Sequence, residues 1–162
     1  MSRRQTVTIE FVPPDDGEVV ERLAEVCAAG DGWINLLPGV PEDSPDLEQP
    51  KGLFSFFGNR QAPVTMVTLM PERRNRRSGD DPDLTVGLMH PTGPKAVARL
   101  AEEGVALPDG WAVRQDHARR GLLLRVPSTV AGRDVIVWAV RAGTALCRAE
   151  MTGRWQAVVY LP

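Results

Sequence analysis

Three segments of the chain share one plan: a strand that ends on proline, a short polar turn, a helix, and a strand that contains tryptophan. They are "TIEFVPPDDGEVVERLAEVCAAGDGWINLLP", "TVGLMHPTGPKAVARLAEEGVALPDGWAVRQ" and "GLLLRVPSTVAGRDVIVWAVRAGTALCRAEMTGRWQAVVYLP". Proline has no N–H to donate to a sheet ladder, so it marks the end of each strand. The proline-to-tryptophan spacing is 20 residues in the first two units and 28 in the third. The chain is therefore predicted to repeat a strand–helix–strand unit, although the units share little identity.

The helices of these units are predicted from their turns and their apolar spacing. Asp15 and Asp16, Thr92, and Ser128 with Thr129 precede the three helices and can accept hydrogen bonds from the free N–H groups of the first turn. The run "DVIVWAV" is β-branched and could form a strand, but its apolar stripe continues at helical spacing, which favours a helix. The stripes expected to be buried are Val20, Leu23, Ala24 and Cys27; Val97, Leu100 and Ala101; and Val135, Trp138, Ala139, Ala142 and Leu146.

Further strands are predicted at 62–70, 84–89, 111–117, 121–127 and 155–161, with a hairpin turn before Gly121. From residue 84 to 162 the order is then βαββαβ, which is ferredoxin-like, and an extra βαβ-β precedes it. We expect one compact α+β domain over residues 1–162. Its sheet should be mainly antiparallel with the helices on one face.

Two segments do not fit this core. Residues 38–60 are rich in proline and acidic groups and form a long predicted loop; residues 71–83 form a polar connection that we expect to be mobile. The first loop returns through four apolar residues, Leu53, Phe54, Phe56 and Phe57. These side chains either anchor the loop against the core or form an exposed patch for a partner.

The composition of the chain indicates the cellular compartment in which we expect it. The two cysteines, Cys27 and Cys147, do not form a CxxC pair, so neither a disulfide framework nor a cysteine-based zinc site is expected, and a reducing cytoplasm fits best. No apolar run is long enough for a membrane span, and the first residues lack the apolar core of a signal peptide. The preference for arginine over lysine is typical of a GC-rich bacterial genome, such as an actinobacterial one.

Charge is distributed unevenly along the chain. Residues 1–59 carry a net charge of −7, residues 60–110 a net charge of 0, and residues 111–162 a net charge of +5. The two ends either attract each other or engage a charged partner. Nucleic-acid binding through the C-terminal arginines or through "RRNRR" at 73–77 is an alternative. No aromatic residue is interleaved in that run for base stacking, and carboxylates flank it.

An alternative function is a small-ligand or metal-binding enzyme with a site built from His90, Asp116 and His117. His90 and His117 are the only histidines, which excludes a three-histidine site and an HExxH motif. Asp116 and His117 are neighbours in a predicted strand, where consecutive side chains point to opposite faces. His90 occupies the place of Val12 and Val126 in the other units, which favours a role at the end of a strand.

No nucleophile elbow, phosphate loop or dinucleotide fingerprint is present. The sequence therefore favours a non-enzymatic cytoplasmic interaction protein, an adaptor or chaperone-like module without cofactor or bound metal. A protein partner is expected, and a homodimer is an option. The predicted interaction patch consists of Leu53, Phe54, Phe56 and Phe57, with Arg119 and Arg120 at its rim.

Overall fold

The computed structural model describes residues 5–45, 63–73 and 80–162. Within these ranges three helices and seven strands follow the order β1 (Gln5–Phe11), α1 (Gly17–Ala29), β2 (Trp33–Pro38), β3 (Met66–Pro71), β4 (Leu84–Met89), α2 (Ala96–Glu102), β5 (Ala112–His117), β6 (Gly121–Val126), α3 (Gly132–Leu146) and β7 (Trp155–Leu161). The strands expected in the second half are confirmed to within a residue or two. The run "DVIVWAV" lies in α3, which confirms the helical interpretation.

The seven strands form one sheet in the order β1-β7-β2-β3-β4-β6-β5, and every pairing is antiparallel. The α+β class is therefore confirmed. The βαββαβ succession is present along the chain from β4 onward, but the ferredoxin-like sheet order is not confirmed. In the sheet, β2 and β3 lie between β4 and β7, which a ferredoxin-like arrangement would place side by side.

The repeated unit is visible in the sheet. In the first unit β1 and β2 flank β7, and in the second β4 and β5 flank β6, so the two units lie on either side of β3. The third unit supplies both inserted strands, β6 and β7. Its longer connection is the helix α3, which reaches from one half of the sheet to the other.

The helices share one face of the sheet. Both α1 and α2 pack against α3, and α3 packs against β2 and β3. The core between the helices and the sheet is formed by alternate residues of the strands, for example Ile34, Leu36, Val67, Leu69, Val86 and Leu88. The opposite face of the sheet is covered by no helix in the described part of the chain.

Helix α1 buries a different stripe from the predicted one. Its fully buried residues are Val19, Leu23 and Val26, whereas Val20 and Cys27 are half-buried and Ala24 is exposed. The prediction was wrong in its choice of face because α1 carries two adjacent apolar stripes that share Leu23, and spacing alone does not say which one meets the sheet.

The predicted side-chain caps are not formed. None of the three helices has a side-chain hydrogen bond from its own N-cap residue. For α2 the bond comes from β5, as described below. The two predicted loops, 38–60 and 71–83, lie partly outside the described residues. Pro38 and Pro71 are the last residues of β2 and β3, where the missing N–H of proline costs no hydrogen bond of the sheet.

Candidate binding surfaces

The predicted interaction patch falls largely outside the structure. Leu53, Phe54, Phe56 and Phe57 are not among the described residues, so their place remains a prediction. Arg119 and Arg120 are exposed in the turn between β5 and β6. Their backbone N–H groups donate to Nδ1 of His117 at 3.1 and 3.2 Å. His117 therefore closes this hairpin turn.

Asp116 holds the start of helix α2. Its Oδ1 accepts a hydrogen bond from the N–H of Ala96 at 3.0 Å, and its Oδ2 accepts one from the N–H of Val97 at 3.1 Å. The residue at the N-cap position, Lys95, has a left-handed backbone and offers no side-chain acceptor. A carboxylate from a neighbouring strand thus satisfies the N–H groups that the helix leaves unpaired.

His90 is buried directly after β4, with 5% of its surface exposed. The hydroxyl of Thr92 lies 2.9 Å from Nδ1, and the N–H of Thr92 also donates to Nδ1. A neutral ring whose Nδ1 accepts from the Thr92 N–H carries its proton on Nε2. That Nε2 atom has no hydrogen-bond partner among the described residues.

Burial lowers the pKa of His90 below its ordinary value. The nearby Asp116 carboxylate acts in the opposite sense, while Arg99 lowers the pKa further. The ring is therefore neutral near pH 7 and fits a packed position better than a charged one.

The three residues of the predicted ligand site do not converge. His90 and Asp116 are close enough to interact electrostatically. His117 pairs with Gly121 at the end of β5, one register position from Asp116, so it lies on the opposite face of the sheet. Across residues 5–45, 63–73 and 80–162, no group of three or more histidine, cysteine, aspartate or glutamate side chains is arranged to hold a metal ion.

Several C-terminal arginines are engaged in contacts within the chain. Arg114 pairs with Glu72 at 3.1 Å, Arg125 pairs with Asp83, and Arg133 pairs with Asp16 at 3.1 Å. Arg141 donates to the carbonyl of Gly104. Of these contacts, the Arg133–Asp16 pair joins the basic C-terminal part to the acidic N-terminal part, whereas Glu72 and Asp83 belong to the middle part, whose net charge is 0.

The sheet has an apolar surface that the sequence analysis missed. Register places eight apolar side chains on the face away from the helices, here called the open sheet face: Trp33, Leu37, Met66, Met70, Met89, Leu123, Val158 and Tyr160. The Trp33 and Tyr160 rings stack with centroids 4.6 Å apart. Most of these side chains are half-buried against each other, and Met70 is 45% exposed.

A sequence signal for this surface existed. In "WINLLP" and "MVTLMP" the apolar residues occur at both odd and even positions, whereas a strand with one solvated face normally alternates. Two polar side chains on this face pair with each other: the Thr68 hydroxyl donates to Oδ1 of Asn35 at 2.9 Å. The surface is therefore mixed, with an apolar majority along β2, β3 and β4.

No helix in the described ranges is both long and apolar enough to cross a membrane.

Comparison with known proteins gives one partial match. The probable rubredoxin HupJ of Rhodobacter capsulatus is 48% identical to this chain over 42 residues, which make up 26% of this chain and 14% of that protein. The chain thus corresponds to only a small share of the length of this relative. No protein-family model matches the chain, and no solved structure matches it.

Proposed function

We propose that this chain is a non-enzymatic binding protein, an adaptor or chaperone-like module, which engages an apolar segment of another protein through the open sheet face. The observation that carries the proposal is the set of aromatic, methionine and aliphatic side chains on that face. Aromatic residues and methionine are enriched in protein interfaces. Methionine is also unbranched and adaptable, which suits a surface that receives segments of different shape.

The size of the surface favours a short segment as occupant. The five strands β7, β2, β3, β4 and β6 span about 20 Å at ~4.8 Å per strand, and a six-residue strand is about 20 Å long. The patch therefore covers on the order of 400 Å², within the range of apolar patches that are functional on monomers. It is about half of the ~800 Å² that each partner contributes to a standard interface.

The partial similarity to a probable rubredoxin covers 26% of this chain and contributes nothing to this proposal. This chain has two cysteines, at the C-terminal ends of α1 and α3, and both are unbridged. Unbridged thiols are in keeping with the reducing cytoplasm that we propose as the location.

Methionine-methyl NMR tests the proposal. Three of the five methionines, Met66, Met70 and Met89, lie on the open sheet face, and Met151 lies before β7, outside the sheet. A reduced, carboxymethylated and permanently unfolded protein serves as the probe. We expect it to shift the methyl signals of the three open-face methionines and to leave the Met151 signal in place.

A matched pair of variants provides the control. Met70 on the open face is 45% exposed, and Val137 on the solvent side of α3 is 41% exposed. Replacing either by arginine should change the free energy of unfolding by no more than ~0.5 kcal/mol. Met70→Arg should weaken probe binding, and Val137→Arg should not.

Equal binding by both variants, or equal loss in both, contradicts the proposal. Sedimentation measures the oligomeric state and so tests whether a second copy of the chain occupies the open sheet face instead. A wild-type dimer that becomes monomeric in Met70→Arg would assign the open sheet face to self-association and overturn the proposal.

A further inference from the structure

A groove crosses the open sheet face between two rows of larger side chains. Sheet register aligns four residues with small side chains on the neighbouring strands β7, β2, β3 and β4: Val158, Asn35, Thr68 and Gly87. Two residues away along each strand, on either side, the same face carries larger side chains. These include Tyr160, Trp33 and Met70 in one row, and Leu37, Met66 and Met89 in the other.

The groove ends at β4. A Cβ at Gly87 would lie 3.2 Å from Cδ2 of Leu123, so the leucine side chain from β6 packs over the glycine. The floor of the groove therefore extends across β7, β2 and β3 and meets an apolar side chain at β4.

The middle of the groove is polar. The Thr68 hydroxyl donates to Oδ1 of Asn35, and both side chains are half-buried. Among the described residues, neither side chain has another hydrogen-bond partner. The Asn35 amide therefore keeps its two N–H donors, and the Thr68 oxygen keeps its acceptor capacity.

This polar pair favours one kind of ligand group. An apolar group placed over the pair would displace water from these donors and acceptors without replacing its hydrogen bonds. A carboxamide replaces both, because its oxygen can accept from Nδ2 of Asn35 and its NH₂ group can donate to the Thr68 oxygen. A carboxylate has no hydrogen to donate, and it would lose its own hydration between apolar side chains.

The strand spacing selects the residues that flank the carboxamide. The Asn35–Thr68 pair lies between β2 and β3, so β7 and β4 are one and a half strand spacings away, ~7 Å on each side. In an extended segment the side chains at i−2 and i+2 point to the same side as residue i and lie ~7 Å from it. A segment lying across the strands therefore places these two side chains over Val158 and over Leu123, which are both apolar.

We propose that the open sheet face selects an extended segment with the pattern apolar–x–Gln–x–apolar, in which Asn35 and Thr68 recognise the glutamine carboxamide. Glutamine suits the site better than asparagine because its longer stem reaches the groove floor between the larger flanking side chains. The inference rests on the binding role proposed above for this face, and it adds the side chains that determine specificity.

Peptides that differ at one position test the inference. The host peptide is acetyl-Leu-Thr-Gln-Thr-Leu-amide, whose threonines favour an extended backbone. Methionine and glutamate replace the central glutamine in two further peptides, because their side chains have the same length. Dissociation constants are measured by titration of the methionine-methyl signals, with Met66, Met70 and Met89 on the open sheet face and Met151 outside it.

The glutamine peptide should bind about five- to tenfold more tightly than the methionine peptide, the effect of leaving buried polar groups unpaired. The glutamate peptide should also bind more weakly than the glutamine peptide. The glutamine peptide should shift the signals of Met70 and of Met66 and Met89, which flank the groove on its two sides, and leave the Met151 signal in place.

A double variant removes the polar floor. Asn35→Leu combined with Thr68→Val replaces both partners of one hydrogen bond by apolar groups of similar shape, a change that is nearly neutral for stability. This variant should bind the methionine peptide at least as tightly as the glutamine peptide. Thr144→Val makes the same type of replacement on α3, where the hydroxyl donates to the carbonyl of Val140, and should keep the wild-type preference.

The outcomes separate this inference from the proposed function. If neither the peptides nor the unfolded-protein probe bind, the proposed function and the inference both fail. If the unfolded-protein probe binds, but the glutamine peptide does not bind or binds no more tightly than the methionine peptide, the inference alone is overturned. A preference for glutamine that survives in the double variant also overturns it, because Asn35 and Thr68 would then not be its source.

Discussion

Removing the Asp116 carboxylate should destabilise the protein by releasing helix α2. The two N–H groups that it binds, at 3.0 and 3.1 Å, have no acceptor from the N-cap residue Lys95. A capping side chain contributes ~0.5–2 kcal/mol, and a hydrogen bond to a charged group ~1.5–3 kcal/mol. Because Asp116 is half-buried and solvent can replace part of the loss, we expect Asp116→Ala to cost about 2 kcal/mol.

Thermal unfolding followed by circular dichroism measures this loss. At ~2–4 °C per kcal/mol for a chain of this size, the melting temperature of Asp116→Ala should fall by about 4–8 °C. Asp116→Asn keeps one acceptor oxygen and should lose about half as much. Amide hydrogen exchange should accelerate at Ala96 and Val97 in both variants, which localises the effect to the start of α2.

One result would refute this reasoning. If Asp116→Ala melts at the wild-type temperature, and exchange at Ala96 and Val97 is unchanged, the carboxylate does not hold the helix.

Three further perturbations test the packing. Burial lowers the pKa of His90 in the folded chain relative to ~6.5 in the unfolded chain. The contribution of His90 to the free energy of unfolding is therefore full above pH 6.5 and is lost as the pH falls toward the folded pKa. His90→Gln should flatten this pH dependence in denaturant titrations at pH 7.5 and 5.5. Gly121→Ala requires a side chain at φ +81° facing the carbonyl of Leu88 and should cost at least ~2 kcal/mol by chemical denaturation. In Gly143→Ala the new Cβ would lie 2.8 Å from Cη2 of Trp155, so overpacking of ~1–3 kcal/mol should offset the ~1 kcal/mol gain in helix propensity and lower the melting temperature.

The sequence predicted elements better than their arrangement. Prolines and apolar spacing located the strands and helices, including α3, because these signals are local. The insertion of β7 between β1 and β2 depends on pairing between the two ends of the chain, and no local signal encodes it. The same limit explains the caps: nothing near Ala96 in sequence indicates that Asp116, twenty residues later, accepts its N–H.

For the candidate sites, too, local sequence patterns predicted the elements better than the way in which the elements pack. Spacing identified the apolar stripe with Val20 and Cys27 but assigned it to the core, because Val19 and Val26 form a second stripe that meets the sheet. The ligand-site alternative grouped residues by chemical type, but the strand alternation expected from the sequence already separated His117 from Asp116, and the register of β5 has this alternation. The open sheet face was encoded as apolar residues at both parities of β2 and β3, a pattern that indicates apolar groups on both faces.

The energetics of the open sheet face set the affinity that an assay must reach. Burying on the order of 400 Å² of this face and a similar apolar area of the bound segment, at ~25 cal/mol per Å², yields about 20 kcal/mol at most. Its side chains other than Met70 are already half-buried, so the available gain is smaller. Association costs ~4–15 kcal/mol in lost translational and rotational freedom, which consumes most of that gain. We therefore expect weak and rapidly reversible binding, in the range of about 10 µM to 1 mM. A Kd below about 1 µM for a peptide confined to this face would contradict this expectation and would indicate that a larger surface takes part.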